Sequence, residues 1–426
     1  MSIQKLSLFI TDKVSKRNIF KKFLILKKYY EKDCNDRDQI LSKKLSATLK
    51  NAYETIPYYY ELAEKNNIRD TFLDFQIDKL KNIPTIDKKT LIDKKKFFLK
   101  PDVTEKLSYC FTNGSTGGRV SIAYNQEAID WSSAVTIFCR YCYGHKLTNK
   151  EVHLATDTRS LDFKSQTSQF IKEFANNRVN IFVNDFNESS ILKYLKFLKR
   201  QKTNLLHGMP SQISGLVNKN LKGFKIPLIE TSGEILRETN RNNIEQFFST
   251  KVIDRYGLAE AGVVAYQMPN NINLSVLDFH TFVEVDSDGE IIITTLNNEV
   301  MPFIRYRTGD YCEDKGIIEG MRHIKMKDGR EHTLVKHNED KLNTATLEDV
   351  IFQVGGVRDL QFQINAKKEI VKILVESENM DDLVVIKNKV KEFTNSDLDN
   401  LIYSGTKKDF KLSGTQYKQL RVALLD

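Results

Sequence analysis

The sequence is poor in the residues that keep chains from folding. Its 426 residues include only 7 prolines, 19 glycines and one tryptophan, and no repeat or low-complexity segment interrupts them. Collagen-like, linker-like and disordered classes are thereby excluded. Long apolar runs are missing too: none approaches the roughly 20 residues that a membrane-spanning helix needs. The start, MSIQKLSLFITDKVSK, lacks an apolar h-region followed by a small-residue cleavage site. A cytoplasmic protein without stable membrane insertion is expected. The five cysteines, Cys34, Cys110, Cys139, Cys142 and Cys312, form an odd set with no disulfide framework. Cys139 and Cys142 are spaced CxxC without a second ligand pair. They continue the helical pattern of Trp131, Val135 and Phe138, so they read as buried thiols.

What is present is ordinary for a globular chain with 40% hydrophobic and 28% charged residues. The net charge of +9 comes from scattered lysines, and no nucleic-acid recognition motif accompanies it, so no nucleic-acid partner is expected. The densest basic stretch, Lys13 to Lys28, interleaves cations with Ile19, Phe20, Phe23, Leu24 and Leu26. That is the pattern of an amphipathic helix docked on its own protein.

The length calls for a large domain and a smaller one. Residues up to about 65 read as helices, with Ser42 to Tyr53 ending near the aromatic packing run IPYYYEL. From VHLAT to KVIDRYG, short apolar strands alternate with helical segments, which means βαβ units. LDFHTFVEVDSDGEIIITTL then reads as an antiparallel hairpin. The last stretch, from about Glu331, mixes the helices LEDVIFQV and LVVIKNKVKEF with the strands LQFQIN, IVKILVES and DFKL. The expected class is α/β: a large N-terminal domain of βαβ-type sheets with a smaller antiparallel β subdomain, followed by a small α+β C-terminal domain.

Three constellations carry chemistry. Thr112, Asn113, Gly114, Ser115, Thr116, Gly117, Gly118 and Arg119 form a polar, glycine-rich loop between two strands, able to bring N–H groups and hydroxyls up to phosphate oxygens. Asp254, Arg255, Tyr256, Gly257, Leu258, Ala259 and Glu260 close one strand, and Thr231, Ser232, Gly233 and Glu234 close the preceding one. In an open parallel sheet such strand ends line the ligand crevice. Last comes MPFIRYRTGD, whose Asp310 can accept two ribose hydroxyls, with the cations Arg305 and Arg307 nearby for phosphate.

With these motifs in this order, the chain resembles the adenylate-forming superfamily of acyl-CoA synthetases. IPYYYEL, GEIIITTLNNEVMPFIRYRTGD and KVIDRYGLAEAG are similar to the phenylacetate-CoA ligase branch and its capsule-biosynthesis relatives, over nearly all of the chain from Asn51 to Arg421. The resemblance implies ATP and Mg2+ as cofactors, with residues 1–328 binding ATP and the acyl substrate. Residues 329–426 would form a mobile lid, hinged near 329–332.

Carried over by position, Thr112 to Gly118 would cover the β- and γ-phosphates. Ser232, Gly233 and Glu234 would flank adenine, and Asp254 would meet its amino group. Tyr256, between Arg255 and Gly257, would lie along the ring or the acyl pocket, near Tyr141, Tyr143, His207 and Met209. Glu260 matches the magnesium-binding acid, Asp310 the ribose-binding acid, Arg330 the hinge arginine, and Lys418 the adenylation lysine of a GKxxRV-like tail. Ala259 stands where Thr or Ser is usual and His332 where Asp is usual. Gln267 occupies the position of a cysteine found in zinc-bearing relatives, so zinc is not expected.

The implied reaction activates a small carboxylic acid as an acyl-adenylate, then transfers it to coenzyme A or an acyl carrier protein. The alternatives are an amine or hydroxyl acceptor, as in surface-polysaccharide biosynthesis, and a nucleotide-binding scaffold with reduced catalysis. A monomer or homodimer fits either.

Overall fold

Alternating strands and helices produce a long sheet with helices on both faces of its parallel half. The structure, a computed structural model, describes the chain except for residues 1–11, 14–16, 112–119, 156–176, 184–187, 219–220, 328–333, 339, 353, 355–356, 378, 407–408, 412–421 and 426. It forms two compact units. The first holds most of the chain up to Lys325, and the second holds Met326–Asp426 with short segments that include Gly309–Tyr311.

Strands β1 (Ser108–Phe111) and β2 (Ser121–Tyr124) pair antiparallel and flank the glycine-rich stretch of sequence 112–119. Five strands, β3 (Glu151–Ala155), β4 (Arg178–Phe182), β5 (Leu205–Gly208), β6 (Leu228–Thr231) and β7 (Val252–Leu258), run parallel in the order 4-3-5-6-7. The sheet continues antiparallel from β7 through β8 (Gly262–Gln267) and β9 (Leu274–Val276) to β13 (Met321–Met326). β12 (Tyr306–Ile318), β11 (Glu290–Thr295) and β10 (Thr281–Val285) complete its eleven strands. The antiparallel region therefore extends the same hydrogen-bonded ladder.

Parallel strands need cover on both faces. On one face, α1 (Ile19–Tyr30) presents Ile19, Phe23, Leu26 and Tyr29 to Ala134, Val135, Phe138 and Cys139 of the helix Gln126–Cys142, above Leu205, Leu228 and Ile253. The basic helix is thus a docking helix. Its Lys22 is buried, 2.7 Å from Glu127 and over the Trp131 ring. On the other face, the helices Glu188–Arg200, Pro210–Gly215 and Glu238–Phe248 cover Val152, Leu154, Leu206, Ile229 and Val252. No described helix is long and apolar enough to cross a membrane.

Helix α2 (Cys34–Thr55) ends where Pro57, at the first turn of α3 (Pro57–Lys65), starts a new helix with its preset φ. In the run IPYYYEL, the fully buried Tyr59 donates to the Pro302 carbonyl and accepts from Ile304 N, each at 2.9 Å. This packing cluster pins the segment that leads to Asp310. The β10–β11 hairpin turns where Asp286 Oδ1 accepts the N–H groups of Asp288 and Glu290 and Gly289 takes φ +91°.

In the second unit, β14 (Leu334–His337) pairs antiparallel with β15 (Asp340–Asn343), and β16 (Val357–Ile364) with β17 (Ile370–Ser377). β18 (Ile402–Ser404) lies parallel to β17, and β19 (Val422–Leu424) parallel to β16. Their core takes Leu347, Ile351, Ile386 and Val390 from the helices Thr344–Phe352 and Asp381–Thr394. DFKL is not the expected strand in its described part. The Gln361 amide donates to the Lys411 carbonyl at 2.7 Å and accepts from its N–H at 2.8 Å. A side chain there satisfies the backbone in place of a ladder.

Candidate active site

The registers of β5, β6 and β7 bring their carboxyl ends level, with Gly208 beside Thr231 and Thr231 beside Asp254. The turn after β6 begins as Ser232 N donates to the Gly208 carbonyl at 3.2 Å. Gly233 takes φ +85°, a conformation that side chains resist. Glu234 Oε2 accepts Ser211 N at 3.1 Å, at the start of the helix Pro210–Gly215. Its carboxylate thus serves a helix end, where negative charge is favoured.

Asp254 Oδ1 accepts from Thr231 Oγ1 at 3.1 Å and from Arg255 N at 3.0 Å. Behind it, Gln267 Oε1 accepts both Asp254 N and Arg241 Nη2 at 3.2 Å, so the residue at the expected cysteine position braces the strand. Burial pushes the Asp254 carboxyl up to about 6, although Thr231, Arg241 and Arg255 pull the other way. The native state therefore keeps a proton that the unfolded chain releases near its ordinary value. The stability this contributes is complete below that value and is lost as pH rises through about 6. Asp254→Asn removes the effect. Calorimetry from acidic to neutral pH should show the wild-type Tm falling relative to the variant; parallel Tm profiles would refute the assignment.

Tyr256 is buried beside Ala265. At Gly257 a Cβ would stand 2.8 Å from the Gly262 carbonyl oxygen, too close for any side chain. Glu260 follows on the turn into β8, buried, and accepts from Tyr306 Oη at 3.1 Å. Tyr124 of β2 donates to the Ala259 carbonyl. Gly262, at φ +72°, lies so close to Ser132 that a Cβ would be 2.8 Å from its Oγ. β2, β12 and the helix Gln126–Cys142 thus all hold this turn. Four residues beyond Tyr306, β12 carries the buried Asp310.

Arg305 and Arg307 depart from expectation. Arg305 is 3.0 Å from Glu284 and donates to the carbonyls of Lys81 and Ile83, while Arg307 pairs with Asp286 at 2.7 Å and with Glu290. Both guanidinium groups brace the hairpin and its neighbouring loop, because the acids of β10 and β11 stand directly beside them. Tyr141 meets Phe23 of α1 edge-on, whereas Tyr143 donates to the Gln267 carbonyl at 2.7 Å. Thr112, Asn113, Gly114, Ser115, Thr116, Gly117, Arg330 and Lys418 lie outside the described residues.

Beneath the strand ends runs a buried charge network that the sequence reading missed. Glu230, fully buried, takes Arg140 Nη2 at 2.7 Å, Tyr266 Oη at 2.8 Å and Arg255 Nη1 at 3.2 Å, with His207 Nδ1 at 3.0 Å. Arg140 Nη1 reaches on to Glu151, which also meets His145, His153 and Arg178, all at 3.1 Å. Desolvation works against the Glu230 charge, yet Arg140 and Arg255 hold its carboxyl well below the usual range. Burial lowers His207 to about 4 and His153 to about 3, so both rings are neutral near pH 7. His207 Nε2 lies 3.4 Å from both Ser232 Oγ and Arg255 Nη2, linking the network to the Ser232 turn. The available signal was the single acid in each of the short strands β3 and β6, Glu151 and Glu230.

No family model matches the chain. Over 79% of its length, and 81% of the relative's, it is 21% identical to phenylacetate-coenzyme A ligase of Escherichia coli (strain K12). Over 44% of its length, and 50% of the relative's, it is 26% identical to indoleacetate–lysine synthetase of Pseudomonas savastanoi. Among solved structures, 2-hydroxyisobutyryl-CoA ligase in the postadenylation state, in complex with R3-HIB-AMP, superposes with a TM-score of 0.68. The match covers 92% of this chain and 90% of that one, at 14% identity, and shows a shared fold.

Proposed function

Because the chain has the fold of the adenylate-forming ligases and is related in sequence to phenylacetate-coenzyme A ligases, we propose that it activates a small carboxylic acid with ATP and passes the acyl group to a thiol. The observation that carries this reading is the meeting of the Ser232 turn and Asp254 at level strand ends, with Glu260 on the turn that follows. In the activation step a carboxylate oxygen bonds to the α-phosphorus of ATP as the bond to pyrophosphate breaks, giving the acyl-adenylate. The thiol of coenzyme A or of a carrier-protein pantetheine then takes the acyl group, and AMP leaves.

In this reading Ser232, Gly233, Glu234, Asp254 and Tyr256 form the adenine site, Asp310 holds the ribose, and Thr112 to Gly117 cover the phosphates. Arg330 and Lys418 supply cations as charge shifts to the leaving group. Glu260 suits Mg2+, which retains waters and substrate phosphates and commonly takes only one or two protein carboxylates. The ion would neutralise phosphate charge there. The rest of the work is positioning and electrostatics, with no protein nucleophile needed.

Pyrophosphate release measured over a panel of carboxylic acids, with ATP and Mg2+, tests the first step. Repeating it with coenzyme A and with amines tests the second. No release with any acid would sink the reading, and ATP binding without release would favour a scaffold. An amine acceptor is the second reading, since one relative is an indoleacetate–lysine synthetase. Acyl transfer to amines with none to coenzyme A would establish it.

A further inference from the structure

The carboxyl ends of β5, β6 and β7 carry different chemistry on the two faces of the sheet. Successive residues of a strand point to opposite faces. Thr231 and Asp254 are register partners and meet on one face, 3.1 Å apart. Their neighbours Glu230, Ser232 and Arg255 turn to the other face, together with His207, the register partner of Glu230. There Glu230 is fully enclosed, whereas His207 and Arg255 keep 14% and 19% of their side chains exposed. The buried charge network thus reaches accessible surface at the strand ends, through an imidazole and a guanidinium beside the Ser232 hydroxyl.

One tautomer of His207 suits both of its charged neighbours. Nδ1 lies 3.0 Å from Glu230 Oε1, and Nε2 lies 3.4 Å from Arg255 Nη2. A carboxylate has only acceptors and a guanidinium only donors, so the neutral ring carries its proton on Nδ1 and a lone pair on Nε2. Burial, reinforced by Arg255, lowers the ring to about 4, so that lone pair is present at pH 7. Ser232 Oγ and Arg255 Nη2 both stand 3.4 Å from Nε2, longer than the roughly 2.7–3.2 Å of a well-formed hydrogen bond. The acceptor is therefore only weakly used by its neighbours. Glu230, 3.2 Å away, already offsets the Arg255 charge, so the three groups suit a neutral partner that donates and accepts at once. A hydroxyl does both. A hydrocarbon would strip water from them and return no hydrogen bond.

We propose that the acid activated at this site is a short hydroxy acid, whose hydroxyl donates to His207 Nε2 and accepts from Ser232 Oγ or Arg255 Nη2. The inference rests on the ATP-dependent activation proposed above, and makes His207 the specificity-determining residue.

Pyrophosphate release with the isomeric hydroxybutyrates, set against butyrate and phenylacetate, tests it. At least one hydroxybutyrate should exceed both hydrocarbon acids in kcat/KM by about 10²-fold, the scale set by leaving buried polar groups unpaired. Two variants separate recognition from bracing. His207→Asn can place an amide nitrogen near the position of Nδ1, keeping the contact with Glu230 and deleting Nε2. His207→Gln does the opposite, placing a polar group near Nε2 and giving up the Nδ1 contact. Recognition through Nε2 predicts that the hydroxyl preference is lost in His207→Asn and largely kept in His207→Gln. A ring that only braces Glu230 would leave the preference intact in His207→Asn. That result, or equal use of hydroxylated and hydrocarbon acids by the wild type, overturns the proposal. Failure of the activation reading looks different, since no acid would release pyrophosphate. Calorimetric binding of the same acids then decides: tighter binding of a hydroxybutyrate that is lost in His207→Asn sustains the site, and no difference between the acids overturns it.

Discussion

Glu260→Gln is expected to lower kcat/KM for ATP-dependent pyrophosphate release by about 10²–10³, the scale on which enzymes lose rate when one preorganised electrostatic group is removed. The carboxylate sits on a turn held by Tyr124 at Ala259 and by the close approach of Gly262 to Ser132, and its Oε1 accepts Tyr306 Oη at 3.1 Å. Gln is nearly isosteric and still accepts from Tyr306, so the fold should survive. What disappears is the negative charge that would hold the ion. Steady-state kinetics over an Mg2+ series should show a loss that higher Mg2+ partly restores. Tyr306→Phe leaves the charge and removes only its orientation, so its loss should be about tenfold. Equal activity of Glu260→Gln and wild type would refute the metal role.

Arg140→Ala should destabilise the first unit by about 3–5 kcal/mol, the usual result of removing one partner from a buried ion pair. Arg140 is buried and bridges two carboxylates, pairing with Glu230 at 2.7 Å and with Glu151 at 3.1 Å. Without it, Glu230 retains Arg255, Tyr266 and His207, and Glu151 retains Arg178, His145 and His153, but each carboxylate loses its most buried cation. Trp131, the chain's only tryptophan, lies on the same helix and reports the transition by fluorescence during urea unfolding. Adding Glu230→Gln to Arg140→Ala should cost less than the sum of the two single changes, because the second removes a charge the first left uncompensated. Strict additivity would show that the network does not act as a unit.

Much of the fold was legible because its elements are set by local patterns. The strands of the parallel half are short apolar runs bounded by turn residues, and α1 announces its buried stripe at Ile19, Phe23 and Leu26. The β10–β11 turn was equally clear, since Asp and Gly do there what their chemistry favours. DFKL was misread because a strand-like run of four residues does not reveal that a distant glutamine will satisfy its backbone.

The candidate site divides along the same line. Ser232, Gly233, Asp254, Glu260 and Asp310 stand in ordered motifs, so their presence could be read directly. The employment of Arg305 and Arg307 could not, because a guanidinium goes to whichever carboxylate the hairpin register places beside it. Nor could the joining of Arg140, Glu151 and Glu230. Local patterns of residues settled the α/β class, the strand ends that carry the proposed nucleotide motifs, and the identity of the acids at them. The tertiary structure alone decided which charges meet, how the Glu260 turn is held and which histidines are neutral, because those depend on burial and on contacts between residues far apart in the chain.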